Sequence, residues 1–325
     1  MQVIGIDVAK ATFDIALPLG QDKYRTRAKV GNDPAGWEQL LAWRRKHAPE
    51  AAVGMEATGI YHEALAERLV AAGVRVYVVN PAQIKAYGQS ELLRTKTDRT
   101  DAKLIARFFQ SRLLEPERLR PYVPPTPAER TLRALVRRLD DLKQMRQMEL
   151  NRLESASAVV APGIGEVVAA LERQIAQVEQ AIAEHIDSDP GLRGRRDLLN
   201  TIPGLANTTS AVLLACLGDL GQYRDVGQIV AQAGLNPARR QSGQYEGKAR
   251  ISRIGDAFLR AKLYMPALVA RRHNPVLAAF AQRLAERGKP PKLILCALMR
   301  KLLHLVWGVL KSGKPFDPNR ALAAR

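Results

Sequence analysis

The chain has 325 residues, 46% of them hydrophobic, and a formal net charge of +18. That length accommodates two or three domains, and that apolar content sustains a real core, which excludes a disordered chain. The two cysteines, Cys216 and Cys296, lie in the apolar runs AVLLACLG and LILCALM; they read as buried thiols in a reducing compartment rather than a disulfide framework or zinc site.

The first 80 residues alternate between strand and helix signals. QVIGIDVA reads as a buried strand, with ATFDIALPL and YRTRAKVG hairpinned beside it. PAGWEQLLAWRRKHA has helical periodicity opened by Pro34, AAVGMEATG is a second apolar strand, YHEALAERLVAAG a helix and VRVYVVNP a further buried strand. The order β-β-β-α-β-α-β followed by helices is that of a ribonuclease H-like sheet, an α/β class that pattern alone does not separate from other mixed folds. RPYVPPTPAER, residues 120–130, marks a linker. Beyond it, Leu132, Leu135, Leu139 and Leu142 recur at heptad spacing. After APGIGE, residues 161–166, Ile164, Val168, Leu171, Ile175, Val178 and Ile182 do the same, which predicts a coiled-coil hairpin ended by SDPGLRGRR. An ordinary amphipathic helix pair is the alternative. From about residue 191 the chain reads as mostly helical, and LLNTIPGLANTTSAVLLACLG suits a helix-hairpin-helix. There Gly204 permits close backbone approach, and the following helix N-terminus offers N–H groups to a phosphate.

Residues 238–325 carry nineteen Lys and Arg against four Asp and Glu, so +15 of the total charge is concentrated there. An excess of one sign on that scale is an electrostatic footprint for a polyanion, and nucleic acid is the default. MQVIGIDVAK carries no basic leader before a long apolar core, and no uninterrupted apolar run approaches the roughly 18 residues a bilayer requires. A soluble, cytoplasmic protein with no membrane partner is expected.

Four carboxylates stand out. Asp7 interrupts the first apolar strand and Glu56 closes the second, placements that are costly without compensation. On neighbouring strands they would face each other and repel unless a cation lay between them. Asp98 and Asp101, three apart in RTKTDRTDAKLIARFF, share a helix face. Taken alone they read as an N-terminal capping turn; with Asp7 and Glu56 they read as an oxygen-ligand site for Mg²⁺, suited to phosphoryl transfer. No single carboxylate is diagnostic: Asp14 and Glu63 show how easily acidic residues turn up nearby. In GLNPARRQSGQYEGKARISRIG, Ser242 sits among Arg239, Arg240, Lys248, Arg250 and Arg253. It is a nucleophile with cations around it, or a turn residue in a phosphate-contacting loop.

The segments IGIDVAK, MEATGIY, VVNPAQIKAYGQSELLRTKTDRTDAKLIARF, IPGLANTTSAVLLA, AGLNPARRQSG and YMPALVA, with the terminal VWGVLKSGKPFDP, together resemble the DEDD transposases of bacterial insertion-sequence family 110. These are bridge-RNA-guided recombinases. The resemblance spans essentially the whole chain in family order. It implies a RuvC-like ribonuclease H domain over 1–119, a coiled coil over 126–190 and a helical transposase domain over 191–325. It implies that the acidic tetrad falls on Asp7, Glu56, Asp98 and Asp101 and the nucleophilic serine on Ser242, with no departure at these five positions. It further implies Mg²⁺, a noncoding bridge RNA, target and donor double-stranded DNA, a covalent phosphoserine link, and a homo-oligomer, dimer to tetramer, with a site composed between subunits. Lys96, Arg99 and Lys103 then read as polyanion contacts beside the carboxylates. A Holliday-junction resolvase or RuvC-like nuclease that activates water is the rival; a non-catalytic nucleic-acid scaffold is disfavoured by Asp7.

Overall fold

A computed structural model describes residues 2–20, 23–57, 59–91, 98–113, 119–238, 241–242, 245–246 and 250–319, with backbone only at 98–100, 241–242 and 245–246. It divides into two compact units, Met1–Pro124 and Pro125–Arg325.

In the first unit the strands are β1 (Val3–Val8), β2 (Thr12–Gly20), β3 (Lys23–Gly31), β4 (Ala52–Glu56) and β5 (Val76–Val79). They form one sheet in the order β3-β2-β1-β4-β5. The first three pair antiparallel as a meander, and β1, β4 and β5 run parallel. The element order expected from the sequence is therefore met. The helices are α1 (Pro34–His47), α2 (Glu63–Ala71), α3 (Pro81–Ser90) and α4 (Asp98–Arg112). Strand alternation assigns each side chain to a face. Ile4, Ile6, Val8, Phe13, Ile15, Val53 and Met55 pack with Leu40, Leu41, Leu65 and Leu69 of α1 and α2. On the opposite face Val3, Ala52 and Tyr77 pack with Ile105, Phe108 and Phe109 of α4, and Ala16 with Ala102 and Ala106. The proline-rich tail stays with this unit: Tyr122 donates its N–H to Val76 O at 2.7 Å and packs on the α1/α2 core.

The second unit is mostly helical. α5 (Pro127–Glu154) starts at a capping box, in which Thr126 and Glu129 bond each other's backbone N–H groups. α6 (Ala161–Ser188) packs against it, with Val136, Leu139 and Leu142 facing the same core as Ile175 and Ile182. The helix begins at Ala161, so APGIGE is its first turn and a half and not a break. Pro162 lies where a helix has no use for an N–H. The chain turns at residues 155–160 instead. Likewise SDPGLRGRR opens α7 (Pro190–Asn200), whose N-cap Asp189 accepts from Leu192 N at 2.8 Å. There follow α8 (Asn207–Leu217), α9 (Val226–Gln232), the two-residue strands β6 (Pro237–Ala238), β7 (Gln241–Ser242), β8 (Tyr245–Glu246) and β9 (Arg250–Ile251), then α10 (Ala257–Lys262), α11 (Tyr264–His273), α12 (Pro275–Glu286) and α13 (Pro291–Ser312). One hydrophobic core joins α5 to α13. By length and composition α13 is apolar enough to cross a membrane. Here Leu298, Leu302, Leu303 and Val306 are wholly buried within the protein core.

Candidate active site

The register of the sheet aligns the carboxylates. In the parallel pair Ile6 lies beside Met55, so one residue further Asp7 lies beside Glu56 at the C-terminal ends of β1 and β4. Alternation puts both on the face covered by α4, after Val3 and Gly5 on one strand and Ala52 and Gly54 on the other. Both side chains are half-buried. The helix lies unusually close: a Cβ at Gly5 would be 2.3 Å from Ala106 N and 2.5 Å from Ala102 O, and one at Gly54 would be 2.2 Å from the Phe109 ring. Gly5 lets the α4 backbone rest on the sheet, and Gly54 makes room for the Phe109 ring. Asp101, half-buried, directly precedes the Ala102 that makes this contact.

Asp98 opens α4, but its side chain, like that of Arg99, lies outside the described residues, and so does Lys96 altogether. Among the described residues no group of three or more His, Cys, Asp or Glu side chains is close enough to hold a metal. The donor set is nonetheless all carboxylate oxygen, which fits a hard divalent cation and not the nitrogen and sulfur preferences of zinc or copper. Lys103 places its ammonium 5.7 Å from the centre of the Tyr24 ring, a cation–π contact within the unit.

Two residues of this region were given no role from the sequence. Asp14 lies directly opposite Asp7 in the antiparallel pair, hence on the same face, and is 8% exposed. Its Oδ1 accepts Lys29 N at 2.6 Å, where Lys29 adopts a left-handed φ of 54° at an irregularity between β2 and β3. The tight turn between the strands, closed by Ala9 N donating to Thr12 O, fixes the pairing. Asn32 is the second. Its amide nitrogen donates to Ala9 O at 3.1 Å and to Tyr61 O at 3.0 Å, and its Oδ1 accepts Trp37 Nε1 at 3.0 Å. It thereby ties the loop after Asp7 to the loop after Glu56. His62, 6% exposed, lies beneath the second loop; burial holds its imidazole below the usual histidine range.

Ser242 belongs to the second unit. It sits on β7, opposite Tyr245 of β8, within the segment bounded by β6 and β9. Its side chain and those of Arg239, Arg240 and Lys248 lie outside the described residues; Arg250 and Arg253 are exposed. The base of this segment is closely tied. Ser252 N donates to Asn236 O at 2.8 Å, Arg253 N to Gly234 O at 3.1 Å and Asp256 N to Gln232 O at 2.5 Å. The Gln232 side chain receives the Tyr223 hydroxyl at 2.5 Å and donates to Cys216 O at 3.0 Å. Burial pushes the Cys216 thiol up to about 12 and raises the Tyr223 phenol as well. Asp256 caps α10 through Phe258 N and pairs with Arg137 at 3.2 Å.

Between α7 and α8 lies the Ile-Pro-Gly-Leu turn. Gly204 has φ +102°, and the close approach expected of it is made with α11: a Cβ there would lie 2.5 Å from Ala270 Cβ. This glycine thus serves helix packing. The N-terminus of α8, preceded by Ala206, has no side-chain cap.

Comparison with known proteins accounts for both units. Residues 4–159 match the DEDD transposase model of the IS110 type, and residues 196–282 match the model described as the transposase IS116/IS110/IS902 family. The pilin gene-inverting protein of Moraxella bovis is 32% identical over 319 residues, 97% of each chain. The chain belongs to the IS110 transposase family. A transposase for the insertion sequence element IS1111A of Coxiella burnetii is 23% identical over 95% of this chain and 90% of its own. Thermus thermophilus RuvC aligns with 38% of the chain and all of its own at 19% identity and a TM-score of 0.27. This IS110-family member is accordingly an enzyme, a DNA transposase, and DNA is its partner.

Proposed function

We propose that this transposase is an RNA-guided recombinase that cuts and exchanges DNA strands through a covalent phosphoserine at Ser242, and so mobilises an insertion sequence. The observation that carries the reading is the alignment of Asp7 with Glu56 on the sheet face covered by the helix that bears Asp98 and Asp101. These four carboxylates would hold Mg²⁺, which when bound supplies charge stabilisation for phosphoryl transfer. Ser242 Oγ bonds to phosphorus as the bond to the departing sugar oxygen breaks; the proton lost by the serine balances the one that oxygen gains. Arg239, Arg240, Lys248, Arg250 and Arg253 surround the phosphate with positive charge. The basic run from 238 onward binds a bridge RNA and the target and donor duplexes. The α7–α8 pair acts as a helix-hairpin-helix through the uncapped N–H groups of α8. The α5–α6 hairpin acts as a coiled coil within a dimer or tetramer, with 191–325 as the transposase domain.

The test is to incubate the protein with its guide RNA, donor and target DNA, denature, and search for protein attached to a DNA end. Attachment at Ser242, lost in Ser242→Ala along with cleavage, is the expected result. Efficient cleavage by Ser242→Ala without any adduct would instead identify a RuvC-like nuclease that activates water.

A further inference from the structure

We propose that Ile60 and Tyr61 form a preset apolar step that stacks against an unpaired base of the DNA strand beside the phosphodiester to be cut. The proposal rests on the DNA-strand reading above and adds a base-contacting site to it.

Ile60 is 73% exposed and Tyr61 40% exposed. Exposed apolar side chains on a slack loop fold inward to escape water. Here the backbone is held so that they do not. Ile60 O accepts Glu63 N at 3.2 Å, Tyr61 O accepts the Asn32 amide at 3.0 Å, and Ala57 N donates to Val79 O at 2.8 Å. Gly59 takes a left-handed φ of 56°, and His62 is buried on the far side. Asn32 is itself fixed by Trp37 and by its second bond to Ala9. The two side chains are thus presented outward at little ordering cost on binding.

Position and size identify the occupant. Ile60 is four residues from Glu56, so it lies within roughly 14 Å of it even at full extension. That is about four base steps of a DNA strand at roughly 3.4 Å each. A strand whose phosphate reaches Glu56 and that runs toward this loop therefore brings a base within reach of the step. The patch is also small. Among the described residues of this unit the other exposed large hydrophobics are Leu19 on β2 and Val123 in the proline-rich tail, neither in this loop. Two side chains fall far short of the roughly 800 Å² per partner of a stable protein interface, but they match one base face. Aromatic and aliphatic side chains stack on or wedge between bases in this manner.

The experiment uses the full chain with guide RNA and DNA in which 2-aminopurine replaces single bases within four positions either side of the cut. Wild type is expected to change the fluorescence at one DNA position. Tyr61→Ser and Ile60→Ser should abolish that change and slow adduct formation at Ser242 about tenfold, while Tyr61→Phe restores both. Because both side chains are exposed and the loop is held through its backbone, the variants keep the fold, checked by circular dichroism. If adducts form normally and no DNA position responds to these variants, the step has no such role and the recombinase reading stands. A response confined to bases of the guide RNA likewise overturns it. If wild type forms no adduct, the recombinase reading falls and the step falls with it.

Discussion

The two units hold their proposed reactive groups by opposite means. In the sheet unit, position comes from close approach at two glycines: Gly5 lets the α4 backbone rest on β1, and Gly54 makes room for the Phe109 ring of α4 over β4. In the helical unit, Ser242 rides on a two-residue strand, and order comes from hydrogen bonds at the base, where Gln232 links Tyr223, Cys216 O and Asp256 N. The first arrangement is intolerant of added volume. The second depends on buried polar groups that must all be satisfied. Alanine at Gly5 or Gly54 should therefore have very different consequences from alanine at Gly163 or Gly165 of the α5–α6 hairpin.

The largest effect expected is on chemistry alone. Asp101→Asn should reduce strand cleavage by more than about a hundredfold, beyond the loss of a merely supporting residue at a metal site, while RNA binding measured by gel shift stays near wild type. Cleavage at the normal rate would remove Asp101 from the tetrad. Next in size, Gly5→Ala should destabilise the sheet unit by about 3 kcal/mol, since its Cβ meets α4 backbone that cannot yield. Urea denaturation in a Trp307→Phe background, followed by the fluorescence of Trp37 and Trp43, reads this unit; an unchanged midpoint would mean that α4 does not lie where the contrast requires. The smallest effect has the opposite sign. At Gly163 and Gly165, in the first turns of α6, an added Cβ meets nothing within 4 Å. Alanine at either should stabilise the hairpin by about 0.5 kcal/mol, seen as a higher thermal midpoint by circular dichroism. A loss of stability there would show that the hairpin, too, relies on close backbone approach.

What could be read from the sequence follows the same divide. The sheet unit was legible because its strands other than β3 are apolar runs between turn residues, and because Asp7 is conspicuous in VIGIDVAK. Asp14 and Asn32 were not, since their roles arise from pairings between segments brought together only by the fold. In the helical unit the heptad spacing marked Leu132, Leu139, Leu142, Val168, Ile175 and Ile182, all buried, but passed over Val136 and Ile186. Pro162 and the two nearby glycines, however, signal a break and a helix start equally well, and only the observed backbone separates them. Gly204 was singled out correctly as a point of close approach, yet a turn motif does not say whether the approaching group is a phosphate or, as here, Ala270. Lys103 was expected to face a polyanion, but Tyr24, distant in sequence, shares its surroundings.

The place of α13 in the core has a consequence in time. The helix contributes nine buried residues, from Ile294 to Val309, to the core of the second unit. It is also the last described helix of the chain to leave the ribosome. The sheet unit, complete by Pro124, can fold while translation continues, whereas the core beneath the serine segment must wait for α13. At roughly 5–20 residues per second that interval is on the order of 10–40 seconds. During it a nascent transposase has its sheet unit but not a finished helical unit, so on the proposed reading the order of synthesis delays the serine chemistry until the chain is nearly complete.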